Sequence, residues 1–209
     1  MNEAQTRAEL IDPKLKASGW GIVEDSRILR EYNITQGKIQ TGGRAKKLTA
    51  DYVLVYKGVK IAVVEAKSND LSVGEGVAQA KQYAEKLCIA TTFSCNGVEI
   101  YQICMSTGVE GLISAFPTPQ ELWAKTFPKG TETEQIDAWR DTFNAIPFED
   151  KSGSWQPRFY QELAVQRTLE QVARNTQRIL LTLATGTGKT SIAFQIAWKL
   201  FHTRWNLMR

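Results

Sequence analysis

Histidine is nearly absent from this chain and cysteine is scarce: His202 stands alone, with Cys88, Cys95 and Cys104, in 209 residues. The cysteines are odd in number, widely spaced and without a CxxC pair. A zinc site and a disulfide framework are therefore both disfavoured, and a reduced, cytoplasmic compartment fits the usage. No apolar run approaches the ~18 residues of a membrane span, and the opening MNEAQTRAEL lacks the apolar core of a signal peptide. A strong charge of either sign is missing too. Twenty-six Lys and Arg against 22 Asp and Glu leave +4, which permits contact with nucleic acid without demanding it. What is left is the composition of an ordinary globular protein, 43% apolar and 23% charged, long enough for one good core and part of a second.

Along the chain, residues 3–17 have helical spacing, with Pro13 expected to bend or divide the helix. A strand is predicted at 27–34, then a Gly-rich basic loop (QGKIQTGGRAKK, 36–47), then two β-branched runs at 50–56 and 60–67 joined at Lys57-Gly58-Val59. A helix at 73–87 follows, and a second hairpin turns at Asn96-Gly97. After Ile113 the character changes to two short helices and a polar linker at 151–154. From there a helix at 161–174 leads to an apolar strand at 179–183, a Gly/Thr-rich turn and a helix from about Lys189. The boundary between two domains is placed near 150, with 113–150 as a helical extension of the first domain and 151–209 as the second.

The turn reads Leu183-Ala-Thr-Gly-Thr-Gly-Lys-Thr190. Gly186 and Gly188 let consecutive N–H groups around Thr187 converge on phosphate oxygens, and the next helix adds the positive end of its dipole. Lys189 can reach the β- and γ-phosphates of ATP, and the Thr190 hydroxyl can ligate the nucleotide's Mg²⁺. Leu183 departs from the small residue usual at the first position. Upstream, Gln156–Gln161 (QPRFYQ) is similar to the Q motif of helicases, in which a glutamine, here Gln161, reads adenine. These residues together resemble the first motor domain of superfamily-2 helicases. The second lobe and acidic motif of such a motor are not among the 209 residues, so no ATP hydrolysis is expected from them alone.

The other constellation is IAVVEAKS, residues 61–68. With a three-residue turn at Lys57–Val59, Tyr56 faces Lys60, Val55 faces Ile61, Val53 faces Val63 and Asp51 faces Glu65. Alternation then puts Asp51, Glu65 and Lys67 on one face; a two-residue turn would put Val64 opposite Asp51 instead. Facing carboxylates at ~5 Å repel unless a cation lies between them, and oxygen ligands with open water positions suit Mg²⁺. Lys67 could orient a water beside it. Glu-x-Lys is also commonplace at solvated strand ends. Gln79 and Tyr83, at i and i+4, share a helix face, although Tyr83 would serve equally as a core aromatic. Arg44, Lys46 and Lys47 could neutralise DNA phosphates from the loop before Asp51, or be merely solvated.

Asp51, thirteen intervening residues and Glu65-Ala-Lys67 resemble the PD-(D/E)xK nuclease core, with Ala50 in place of the proline. Gln79-Ala-Lys-Gln-Tyr83 is similar to the QxxxY motif of its RecB-like branch. That family often carries a glutamate on the first helix; Glu9 is the candidate, with Glu3 possible. TRAELIDPKLKASGWG, ADYVLVY, IAVVEAK, QAKQYAE and RFYQELAVQRTLE…RILLTLATGTGKT together resemble the restriction (motor) subunit of type I restriction–modification enzymes. The resemblance implies an α/β fold, a restriction-endonuclease-like mixed sheet flanked by helices and followed by the start of a RecA-like motor domain. It also implies Mg²⁺-dependent cleavage of double-stranded DNA, ATP-driven translocation, and assembly with specificity and methyltransferase subunits. Two rivals stay open: a helicase whose nuclease-like domain only binds DNA or a partner, and a stand-alone repair nuclease.

Overall fold

The structure, a computed structural model, describes residues 1–34, 48–128, 134–150, 153 and 157–205. The basic loop with Arg44, Lys46 and Lys47 lies outside the described residues, as does Gln156. The described residues divide into two compact units, 1–34 with 48–128 and 134–205.

The first unit opens with α1 (Glu3–Thr6), capped reciprocally: Asn2 Oδ1 accepts the Gln5 N–H and Gln5 Oε1 accepts the Asn2 N–H. Pro13 has no N–H to give and its ring crowds the carbonyl of Glu9. The chain responds by widening into a π turn at Arg7–Ile11 before resuming as α2 (Asp12–Ala17), so the helix is bent and not ended. Ile11 and Leu15 then bury against Trp20 and the sheet.

That sheet holds six strands in the order β1 (Ser26–Ile34), β2 (Leu48–Tyr56), β3 (Val59–Ala66), β4 (Thr91–Cys95), β5 (Ile100–Cys104) and β6 (Glu110–Ile113). Every neighbouring pair is antiparallel except β3–β4, which is parallel. A parallel pair needs a crossover, supplied by a 3₁₀ turn (Val73–Gly76) and α3 (Val77–Leu87), whose Ala80, Tyr83, Ala84 and Leu87 are buried. The mixed sheet flanked by helices is the α/β architecture expected; β6, between the second hairpin and α4 (Pro119–Thr126), was not.

The β2–β3 turn corrects the expected one. Lys57 (φ 48°) and Gly58 (φ 75°) form a two-residue turn with both central residues left-handed, and Tyr56 pairs with Val59, not Lys60. A β-bulge follows: Val55 pairs with Lys60 but Leu54 with Ala62, leaving Ile61 as the extra residue on β3. The bulge restores the register that a three-residue turn would have given, so Val53 still faces Val63.

The second unit consists of α5 (Glu134–Ala145), α6 (Phe159–Ala173) and α7 (Lys189–His202) around Phe143, Val165, Leu169, Ile192 and Trp205. Because Trp139 and Phe143 of α5 pack on Trp205, α5 belongs here, and the division falls near 130 where the sequence placed it near 150. The strand expected at 179–183 is absent: those residues are irregular and Leu180 is 90% exposed. An apolar run becomes a strand only against a ladder partner, and no strand exists among the described residues of this unit.

Candidate nuclease centre and phosphate loop

The register at Tyr52↔Val64, carried one step on, sets Asp51 opposite Glu65 where the β2–β3 pairing ends, while β2 continues to Leu48 against β1. Asp51 is fixed from two sides. Its Oδ2 accepts the backbone N–H of Ala66 at 2.8 Å, and its Oδ1 accepts Arg7 Nη1 at 3.2 Å. Glu65 is 2% exposed; Lys67 Nζ donates to its Oε1 at 2.7 Å, while its Oε2 is buried without a hydrogen-bond partner. Burial first, then the facing Asp51, pushes the Glu65 carboxyl up to about 8 against the pull of Lys67.

Lys67 is held by backbone and side chain alike. Its N–H donates to the Cys95 carbonyl on β4, and its Nζ also reaches Gln79 Oε1 at 3.3 Å. Burial would lower this ammonium, but Glu65 outweighs it, with Glu3 and Asp51 adding to the upward shift. Gln79 Nε2 donates in turn to the Tyr83 hydroxyl at 2.7 Å. A continuous chain therefore runs from Glu65 through Lys67 and Gln79 to Tyr83, as the shared helix face of Gln79 and Tyr83 allows.

Glu9 is exposed and joins no hydrogen bond or ion pair of this cluster among the described residues. Of the first-helix carboxylates it is Glu3 whose field is felt at Lys67. Two contributors escaped the sequence reading. Arg7 carries no motif signal at all. Gly76, in SVGEGV, lets the crossover descend onto the site: a Cβ there would lie 3.3 Å from the Cγ atoms of both Glu65 and Lys67.

The donor set fits a hard divalent cation. Two carboxylates face each other, one with a buried oxygen lacking a partner, and no group of three His, Cys, Asp or Glu competes among the described residues. Mg²⁺ is commonly held by one or two carboxylates, with waters completing its shell.

In the second unit the phosphate loop curls at Gly186 (φ 79°) and Gly188 (φ 81°), and α7 begins at Lys189 with Thr190 on its exposed first turn. Gln161 lies 8% exposed beneath the loop. Its Oε1 accepts the Arg158 N–H at 2.9 Å and its Nε2 donates to the Thr187 carbonyl at 3.0 Å. A Cβ on Gly188 would meet Gln161 Nε2 at 2.5 Å. The two ends of the amide thus tie the start of α6 to the loop.

Fold and sites define the class: an α/β endonuclease-type domain followed by a segment bearing a nucleotide-phosphate loop. Comparison with known proteins is consistent with both parts. The family described as "Type I restriction enzyme EcoKI endonuclease subunit second domain" matches residues 29–108, and "Type III restriction enzyme, res subunit" matches 154–207. The type I restriction enzyme EcoAI endonuclease subunit of Escherichia coli is 33% identical over 98% of this chain, and the EcoKI endonuclease subunit of strain K12 is 26% identical over 98%. A solved fragment assigned to the HsdR subunit of a type I restriction enzyme from Vibrio vulnificus YJ016 superposes over 98% of the chain and 39% of its own, with TM-score 0.83 and 40% identity. The chain is thus similar, over nearly its whole length, to endonuclease (HsdR) subunits of type I restriction enzymes. It spans about a quarter of the curated relatives it matches, 26% and 22% of their lengths.

Proposed function

We propose that the protein is the DNA-cleaving and translocating subunit of a type I restriction enzyme. Its first unit would hydrolyse phosphodiesters and its second would begin an ATP-driven motor on double-stranded DNA. The observation that carries this reading is the convergence of Asp51, Glu65 and Lys67, with an unpartnered carboxylate oxygen buried among them.

Asp51 and Glu65 would hold Mg²⁺, which when bound supplies charge neutralisation and an acidified water for phosphodiester hydrolysis. Ala66 fixes one oxygen of Asp51, so that carboxylate is oriented before any ligand arrives. Lys67, steered by Glu65 on one side and Gln79 on the other, presents an ammonium that can orient the attacking water or steady charge on the phosphorus oxygens. Tyr83 accepts from Gln79 and so keeps its own O–H available as a donor. Gly76 keeps bulk away from the base of the pair.

In the second unit the N–H groups around Gly186, Thr187 and Gly188 would cradle phosphates of ATP, Lys189 would reach the terminal ones and Thr190 would ligate the nucleotide's Mg²⁺. Gln161 would act through the loop it supports, whatever contact it makes to adenine. Specificity and methyltransferase subunits would supply site recognition, and the work on DNA would be cytoplasmic. In the full-length protein Lys67→Ala should abolish plasmid cleavage and leave ATP hydrolysis intact. Cleavage surviving that change would refute the nuclease assignment.

A further inference from the structure

Asp51 is the middle member of a row of acids across three strands. The β1–β2 pairs Arg30↔Tyr52 and Tyr32↔Ala50 put Glu31 opposite it on one side, and Glu65 faces it on the other. An aspartate carboxyl turns easily about its last torsion, so its orientation depends on partners. Ala66 holds Oδ2; Oδ1 is held by Arg7, whose other nitrogen, Nη2, donates to Glu31 Oε1 at 3.1 Å. A planar guanidinium spanning two carboxylates has little freedom to swing.

Two local departures from regular structure accompany this bridge. Arg7 opens the π turn of the first helix. Glu31 adopts φ 50° in the middle of β1, a left-handed conformation that costs a non-glycine residue ~1–2 kcal/mol. Such strain persists where surrounding contacts fix it, and here the strained residue grips Arg7.

We propose that Arg7 is a positioning residue for the cation site, holding the Asp51 carboxylate in the orientation in which it and Glu65 receive a divalent ion, and that Glu31 fixes Arg7 in turn. This rests on the metal-binding reading of Asp51 and Glu65. Arg7 and Glu31 carry opposite charges, so both can be replaced together with the net charge of the protein unchanged. Such a charge-balanced double replacement removes that orientation.

Calorimetric titration of the full-length protein with Mn²⁺, without DNA, tests the proposal. Arg7→Met/Glu31→Gln should weaken Mn²⁺ binding about tenfold, the loss typical when a group orienting a metal ligand is removed, with circular dichroism and the melting transition showing a folded protein. Glu31→Gln alone keeps an oxygen to receive Arg7 and should stay within about twofold of wild type. Unchanged or tighter binding by the folded double variant overturns the proposal. Should the double variant not fold, Arg7→Lys decides: one ammonium cannot span both carboxylates, so binding should weaken roughly threefold, and no change overturns the role. Asp51→Asn separates the two levels. If wild type binds Mn²⁺ no better than Asp51→Asn, the metal reading itself fails and this role with it. If Asp51→Asn loses binding while the double variant keeps it, only the role of Arg7 fails.

Discussion

A Cβ on Gly76 would lie 2.3 Å from Ser94 Oγ as well as against Glu65 and Lys67. Ser94 cannot retreat freely, because its hydroxyl donates to the Val73 carbonyl at 2.5 Å. Gly76→Ala should therefore displace Glu65 and Lys67: on the proposed function plasmid cleavage should fall at least ~tenfold, while urea denaturation shows a loss of ~1–3 kcal/mol, the usual cost of overpacking a buried site. At this scale the sequence was legible where a local period places residues on one face. Asp51, Glu65 and Lys67 follow from alternation on two strands, and Gln79 and Tyr83 from one turn of helix. Arg7, Glu31 and Gly76 meet the site only through tertiary contacts, which no local period reports. Glu9 lies two positions from Arg7, so the two project to opposite sides of the helix; Arg7 reaches Asp51 and Glu9 is exposed.

The β2–β3 hairpin shows how an element can be right in effect and wrong in detail. The pairing of Val53 with Val63 was legible because apolar alternation fixes faces. The compensation between a two-residue turn and a bulge at Ile61 was not, since both leave the same pattern downstream. In the second unit, Lys199 on α7 is 5% exposed; its Nζ donates to the Phe143 carbonyl at 3.0 Å and to that of Ile146, and lies 4.8 Å from the Phe148 ring. It thereby caps the C-terminal end of α5. Lys199→Met would leave these buried carbonyls without their donor and should destabilise this unit by ~2–4 kcal/mol in chemical denaturation. Burial lowers the Lys199 amine to about 8, against the ordinary 10.5 in the unfolded chain. Between those values the unfolded state holds a proton that the folded state has released, so the folded state gains stability as pH rises. The advantage of wild type over Lys199→Met should grow from pH 8 towards 10, and a flat difference would contradict the buried-amine reading.

For the whole molecule, the order of parts was legible: a nuclease-type mixed sheet first, a phosphate loop second. The division near 130 was not, because α5 is amphipathic and its sequence does not say which core receives it; Phe143 and Trp139 join Trp205 across more than sixty positions. Nor was the irregular course of 179–183, whose apolar pattern describes a strand without supplying its partner. The account's central claim is that Asp51 and Glu65 form the hydrolytic centre, and supercoiled-plasmid cleavage by the full-length protein with Mg²⁺, ATP and the proposed specificity and methyltransferase subunits tests it most directly. Asp51→Asn should leave the plasmid supercoiled at every Mg²⁺ concentration while ATP is still consumed. Cleavage by Asp51→Asn at the wild-type rate would contradict it.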